Sequence, residues 1–378
     1  MFFDAHPSKI ILLFFSSLLG CSAKESSPQK NDLPKDPAPQ ESSKEENKKT
    51  PVQPSANIDT SLEGAFRAFV VDHNSKEAAS PDILQKEQWD SLFYEKTTIS
   101  LNTVSNYKLM YKSFMKAKDN YVLVLQELHK QGLPQVFAAI PMIESRYNSD
   151  AVSPVCAAGV WQFVPEVAQR VGVEVQECSL KESDSLWTPT QKIPSTIAQM
   201  DYVKKLENGA YQCQITSCKK DARLDVQAST KGAVQMLKDT WSDQELKKSG
   251  SLVQLTILAH NVGYNDARFG SKNKSNIVPA YNDYLAKTKK TTGTSFYGDN
   301  ILCSKDKDPF KYPVDTCGGV LSNQAQNYGY NVVAQHMLAV CFYAKNYPQE
   351  ATFASWKPYL SGYCTKINVP TLDALKAK

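Results

Sequence analysis

Pro141-Met142-Ile143-Glu144-Ser145, followed after a short loop by Ala151-Val152-Ser153 and then Gly159-Val160-Trp161-Gln162-Phe163-Val164-Pro165, decides how this chain reads. Just upstream, Tyr121 to Lys130 has helix-like apolar spacing and is stopped by Gly132 and Pro134. Pro134 opens a second helical segment, Gln135 to Tyr147, in which Phe137, Ile140, Ile143 and Glu144 fall on one stripe. Glu144 is thus expected near a helix C-terminus, on its buried side. Burial and the negative end of the helix dipole both disfavour a carboxylate, so each raises its pKa. A carboxyl group that holds its proton near neutral pH is what a general acid requires. The bland alternative is a solvated helix glutamate.

Working outward, the pattern stays helical. Gln227 to Trp241 carries Val234, Leu237 and Lys238 in helical register, and Leu252 to Ala259 is strongly apolar and closes onto His260-Asn261-Val262-Gly263. Asn331 to Tyr347 is another helix, with Val332, Val333, Met337, Leu338, Val340 and Cys341 as its apolar set. Alternating strand patterns are scarce, so the fold class is mainly α. Asp299 to Cys317 is polar and irregular, a small hairpin or an ordered loop.

The N-terminus sets the compartment. Lys9 precedes an apolar run, Ile10 to Leu19, too short to span a bilayer and of the length of a signal h-region. It ends in Leu18-Leu19-Gly20-Cys21, which resembles the lipobox of bacterial lipoproteins, where the cysteine is lipidated and becomes the first mature residue. An ordinary signal peptide with a chance cysteine is the alternative. Ser22 rather than Asp follows, which in lipoproteins implies the outer membrane. From Ser22 to Ile58 the chain is rich in Ser, Pro, Lys, Glu, Gln and Asn, and cannot bury enough apolar surface to offset its entropy. It reads as a disordered leash reaching on the order of 30 Å.

Beyond residue 58, the 378-residue chain leaves 320, enough for one large or two modest domains. The expected organisation is a leader at 1–20, lipidated Cys21 and tether to 58, an N-terminal helical region at 59–114, a catalytic domain at 115–270 and a helical and loop extension at 271–378. The net charge of +4 suits an anionic polymer only weakly, and no basic cluster points to nucleic acid. No further apolar stretch is long enough to cross a membrane.

Nine cysteines are present; with Cys21 set aside, Cys156, Cys178, Cys213, Cys218, Cys303, Cys317, Cys341 and Cys364 form an even set in an exported chain, the signature of disulfides. Sequence-local pairs are expected: Cys213–Cys218, Cys303–Cys317, Cys341–Cys364 and Cys156–Cys178. Metal-ligand spacing is absent, with His260 and His336 standing alone, so neither a metal nor another cofactor is expected.

Glu144-Ser145, Ala151-Val152-Ser153-Pro154, Gly159 to Pro165 and Asn261-Val262-Gly263 stand in the order found in lytic transglycosylases. The chain most resembles the membrane-bound lytic murein transglycosylase D branch, with its goose-type-lysozyme-like catalytic domain. Asp221-Ala222-Arg223-Leu224-Asp225 with Ser229-Thr230 resembles the branch's acidic segment, and Gln326 to Tyr347 looks like its Tyr-Val-Pro helix. The resemblance implies a lysozyme-like helical domain with flanking helices and disulfide-pinned insertions, acting as a monomer on peptidoglycan glycan strands. Glu144 would be the single general acid and base, with Ser145, Ser153, Gln162, His260 and Asn261 as substrate contacts. Trp161 and Phe163 read as core rather than as sugar platforms.

Three departures from the family pattern stand out. Cys156 replaces a glycine, His260 replaces a tyrosine that normally faces the acid, and Glu182 to Lys220 is a long insertion. A histidine beside Glu144 could alter its pKa, orient water or favour glycans lacking the acetyl group. The alternatives are therefore a lysozyme-type muramidase, acting on normal or de-N-acetylated peptidoglycan, and a non-catalytic wall-binding lipoprotein. Asp150, the nearest second carboxylate in sequence, lies in a loop and matches no family carboxylate.

Overall fold

The computed structural model describes residues 91–190, 197–247, 249, 252–263, 277–278, 281–282, 285 and 323–377. The leader, Cys21, the tether, residues 59–90 of the N-terminal region, and the 299–317 segment with Cys303 and Cys317 lie outside the described residues.

Helix α1, Ser91–Ser105, leads into α2, Lys108–Lys130. Met110, Phe114, Ala117, Tyr121, Val124, Leu125 and Leu128 of α2 recur at three- and four-residue intervals and are all buried, the stripe of a helix lying on a core. Gly132, at φ +65°, ends α2 as expected: its N–H donates to His129 O and that of Leu133 donates to Leu128 O, a Schellman closure.

The expected single helix over Gln135 to Tyr147 is in fact broken. A 3-10 turn, Gln135–Ala139, passes into a short α3, Ile140–Glu144. Pro141 has no N–H to give to the preceding turn, so the regular α ladder can begin only there. Arg146 and Tyr147 then take φ +56° and +61°, which no helix tolerates. Tyr147 is held in that conformation by burial and by its hydroxyl, which donates to Ala138 O at 2.6 Å.

A short α4, Pro165–Arg170, precedes a stretch of strands that the sequence did not announce and that overlaps the Glu182 to Lys220 insertion. Strands β1 (Val175–Leu180), β2 (Ser183–Trp187) and β5 (Ile215–Asp221) form an antiparallel sheet in the order β2-β1-β5. Between them in sequence, β3 (Val203–Lys205) pairs with β4 (Tyr211–Cys213). Then come α5 (Val226–Trp241), α6 (Gln244–Lys247), α7 (Leu252–Val262), α8 (Asn323–Asn346), α9 (Ala351–Ala354) and α10 (Leu372–Lys376).

The disulfides correct two expected pairs. Cys178 joins Cys218, and Cys156 joins Cys213, rather than Cys156–Cys178 and Cys213–Cys218. Cys178 and Cys218 face each other in the β1–β5 register. Cys213 and Cys218, by contrast, lie five residues apart along nearly continuous extended chain, roughly 16 Å, too far for a bond. A small second core of Val155, Cys156, Ile197, Met200 and Tyr202, with Cys213 packed on it, brings the other pair together. The expected Cys341–Cys364 bond is present.

Helix α8 is the centre of the molecule. Every residue from Val332 to Ala344 is buried, as in a helix surrounded on all sides. It packs against α1, α7 and the 3-10 turn that leads into α3. Its side chains share one hydrophobic core with those of α2, α3, α5 and α7.

Candidate active site

Glu144 is the last residue of α3 and points into the space between α7 and α8. Its side chain is 10% exposed, and burial pushes its pKa up to about 7. One interaction opposes that rise: the hydroxyl of Tyr328, on α8, donates to Glu144 Oε1. On the other side, His260 at the end of α7 places Nε2 3.9 Å from the same oxygen. The carboxyl group is thus flanked at Oε1 by two neutral polar groups and surrounded by apolar core. It sits halfway between its charge states near neutral pH, which suits a group that must first give and then recover a proton.

His260 is not charged at neutral pH. Burial pushes its pKa down to about 4, although a backbone hydrogen bond with Trp161 works in the opposite sense. The ring is packed edge-on against Trp161, 5.7 Å between centroids, and tilted against Phe163 at 6.0 Å. Trp161 and Phe163 are core residues, 0% and 3% exposed. Among the described residues, the buried Oδ1 of the next residue, Asn261, meets no hydrogen-bond partner, and His260 Nδ1 is in the same condition.

The loop from Ala151 to Phe163 walls the site and is organised by its own polar side chains. Ser153, almost fully buried, accepts from the N–H groups of Val155 and Ala157. Ser145 donates to Val160 O at 3.0 Å, tying the end of α3 to the loop. The Gln162 amide donates to Gly159 O at 2.8 Å and to Ala151 O at 3.1 Å, and its backbone takes φ +51°. Of the expected contacts, His260 is therefore brought to Glu144, and Asn261 follows it at the end of α7. The hydroxyls of Ser145 and Ser153 and the amide nitrogen of Gln162 are engaged by backbone. Asp150 is exposed.

The acidic segment turns out to hold this loop in place. Arg223, 2% exposed, makes a two-pronged ion pair with Asp221 and donates to Cys156 O at 2.6 Å and to Phe163 O at 3.1 Å. Asp225 caps α5 through Ala228 N, and Thr230 accepts from the Trp161 indole N–H at 3.0 Å. Gly159 approaches so closely that a Cβ there would lie 1.8 Å from Arg223 O, at a φ of +75°. Gly159→Ala is accordingly expected to destabilise the protein by about 2–5 kcal/mol, read as a lower urea midpoint at unchanged slope.

Tyr328 was not among the residues singled out in the sequence. Its signal was the likeness of Gln326 to Tyr347 to the Tyr-Val-Pro helix, which placed a tyrosine at the start of α8 without saying what it faced. Tyr328→Phe should remove the hydrogen bond that favours the carboxylate. A hydrogen bond to a charged group is worth about 1.5–3 kcal/mol, or roughly 1–2 pKa units. Glu144 would then stay protonated to higher pH, and the alkaline limb of a pH–activity profile should move upward by about that amount.

Residues 125–215 match the family model of the transglycosylase SLT domain. The matched stretch takes in Glu144, Ser145, Ser153 and Gln162 and ends before His260, Asn261 and Tyr328. It supports a lytic-transglycosylase-type, glycan-cleaving domain of lysozyme-like helical fold, here with an insertion pinned by disulfides. It does not single out the membrane-bound D branch. A stretch of 60 residues is also 33% identical to a protein of Alteromonas sp. (strain M-1) named for tributyltin chloride resistance. That alignment covers 16% of this chain and 29% of the relative, so the chain spans less than a third of the relative's length. Among the described residues, no three His, Cys, Asp or Glu side chains gather as metal ligands.

Proposed function

We propose that the protein cleaves the β-1,4 bond between N-acetylmuramic acid and N-acetylglucosamine in peptidoglycan, with Glu144 as its single general acid and base. The observation that carries this reading is a buried glutamate at about pKa 7, held by Tyr328 within a stretch that matches the SLT domain. Glu144 gives its proton to the glycosidic oxygen as the bond to the muramyl C1 breaks. The substrate's own N-acetyl oxygen supports the cation that develops. The Glu144 carboxylate then takes the proton of the muramyl C6 hydroxyl, whose oxygen closes onto C1 as a 1,6-anhydro ring. Glu144 ends protonated, no water is consumed, and no second carboxylate is needed.

The leader, lipobox-like Cys21 and leash support an exported lipoprotein on the periplasmic face of the outer membrane, or one that is secreted, working as a monomer on glycan strands within reach of its anchor. Digestion of acetylated and de-N-acetylated sacculi, followed by mass spectrometry of the soluble fragments, tests the reading. Anhydro-muramyl ends are expected. Fragments heavier by one water would make the protein a muramidase, release only from de-N-acetylated walls would change its substrate, and binding without release would leave a wall-binding protein.

A further inference from the structure

We propose that His260 is a positioning residue, supplying a second hydrogen bond to Glu144 once that carboxyl group has given its proton away. The inference rests on Glu144 being the acid. Beyond the expectation that His260 faces the acid, it stands on the distance and the packing of the ring.

After proton transfer Glu144 is a carboxylate in a nearly closed site, with Tyr328 as its donor. A carboxylate offers about four acceptor positions, and a buried charge with few donors is costly. Among the described residues, the titratable groups that face Glu144 are Tyr328 from α8 and His260 from α7. At 3.9 Å, His260 Nε2 is too far for a hydrogen bond in the resting site and close enough to make one after a shift of about 1 Å.

The tautomer can be argued from the unmet Nδ1. A hydrogen on Nδ1 would bury an N–H donor with no acceptor and turn a lone pair toward the developing carboxylate. A hydrogen on Nε2 leaves only a lone pair unmet and sets the N–H between the backbone of Trp161, with which the ring hydrogen-bonds, and Glu144. The second arrangement wastes less. Trp161 and Phe163 fix the ring plane, so the donor is held ready. Throughout the cycle the His260 N–H bond stays intact. The proton that moves is Glu144's own, to the glycosidic oxygen and back from the C6 hydroxyl. Because the imidazole is neutral, it stabilises the carboxylate without adding a charge that would strip the acid of its proton beforehand.

The test compares His260→Phe, which keeps a ring against Trp161 and Phe163 and removes the N–H, with His260→Gln, which keeps a neutral donor. In the full chain, the Glu144 carboxyl band can be titrated by infrared difference spectroscopy, assigned by its loss in Glu144→Gln. The Phe variant should titrate about one unit higher than wild type, with the Gln variant between them. On glycan substrate, kcat of the Phe variant should fall by up to about tenfold with KM unchanged. A Leu variant makes the same comparison if the Phe ring does not fit. A Phe midpoint that superimposes on wild type overturns the proposal, as do equal shifts in the Phe and Gln variants, which would assign His260 to packing. The titration needs no turnover, so a protein inactive on peptidoglycan would defeat the proposed function while the role of His260 was still decided.

Discussion

Glu144→Gln is expected to lower glycan cleavage by about 10²–10⁴-fold while the protein folds and binds sacculi as before. Glutamine keeps the shape of the side chain and can still accept from the Tyr328 hydroxyl, so the helix end that carries it has no reason to rearrange. What it lacks is an acidic proton to give and a carboxylate to take one back. Thermal melting checks the fold, sacculus pull-down checks binding, and release of soluble fragments checks turnover. A glutamine variant as active as wild type would require another acid, and Asp150 is exposed while Glu166 is occupied by the hydroxyl of Tyr202. The pH dependence carries the same sign: Glu144 must start protonated, so activity should decline as pH rises through about 7.

Arg223→Ala should be the most damaging change outside the catalytic group. It leaves Asp221, only 15% exposed, without its partner and removes the donors to Cys156 O and Phe163 O. Breaking a buried pair by deleting one member costs about 3–5 kcal/mol. For a domain of this size that is a fall in Tm of roughly 10 °C, measurable by calorimetry. Lysine should not rescue it, because an ammonium cannot bind the two Asp221 oxygens and two carbonyls as a planar fork does. Activity should fall with stability, since Arg223 fixes the middle and the C-terminal end of the loop that walls the site.

How much of this was legible in the sequence follows from what kind of force places each part. Helices α2 and α5 show in the sequence because their apolar stripes recur every three to four residues, and α7 and α8 because their apolar residues run nearly without a break. Glu144 shows because it ends one such stripe. The strands of the insertion do not, for their burial alternates poorly: β3 and β5 hold no buried residue. They are fixed by disulfides and by pairing, β5 with β1 and β3 with β4, and the Cys178–Cys218 bond follows from a register that only the folded sheet defines. Tyr328 lies 184 residues from Glu144, a separation across which no local pattern speaks. The serines were recognised as belonging to the site region, but which way a small hydroxyl turns is decided by the carbonyls and N–H groups around it. His260 is legible as a departure from the family's tyrosine, but its charge state is not: the ring is neutral because burial outweighs its contact with Trp161.

The central claim is that one carboxyl group both breaks the glycosidic bond and closes the sugar on itself, without water. Digestion of purified sacculi in water enriched in heavy oxygen, by the wild-type protein and by Glu144→Gln, followed by mass spectrometry of the new muramyl ends, addresses it most directly. Anhydro ends that carry no heavy oxygen, formed only by the wild type, are expected; reducing ends labelled with heavy oxygen, or equal release by the Gln variant, would overturn the mechanism.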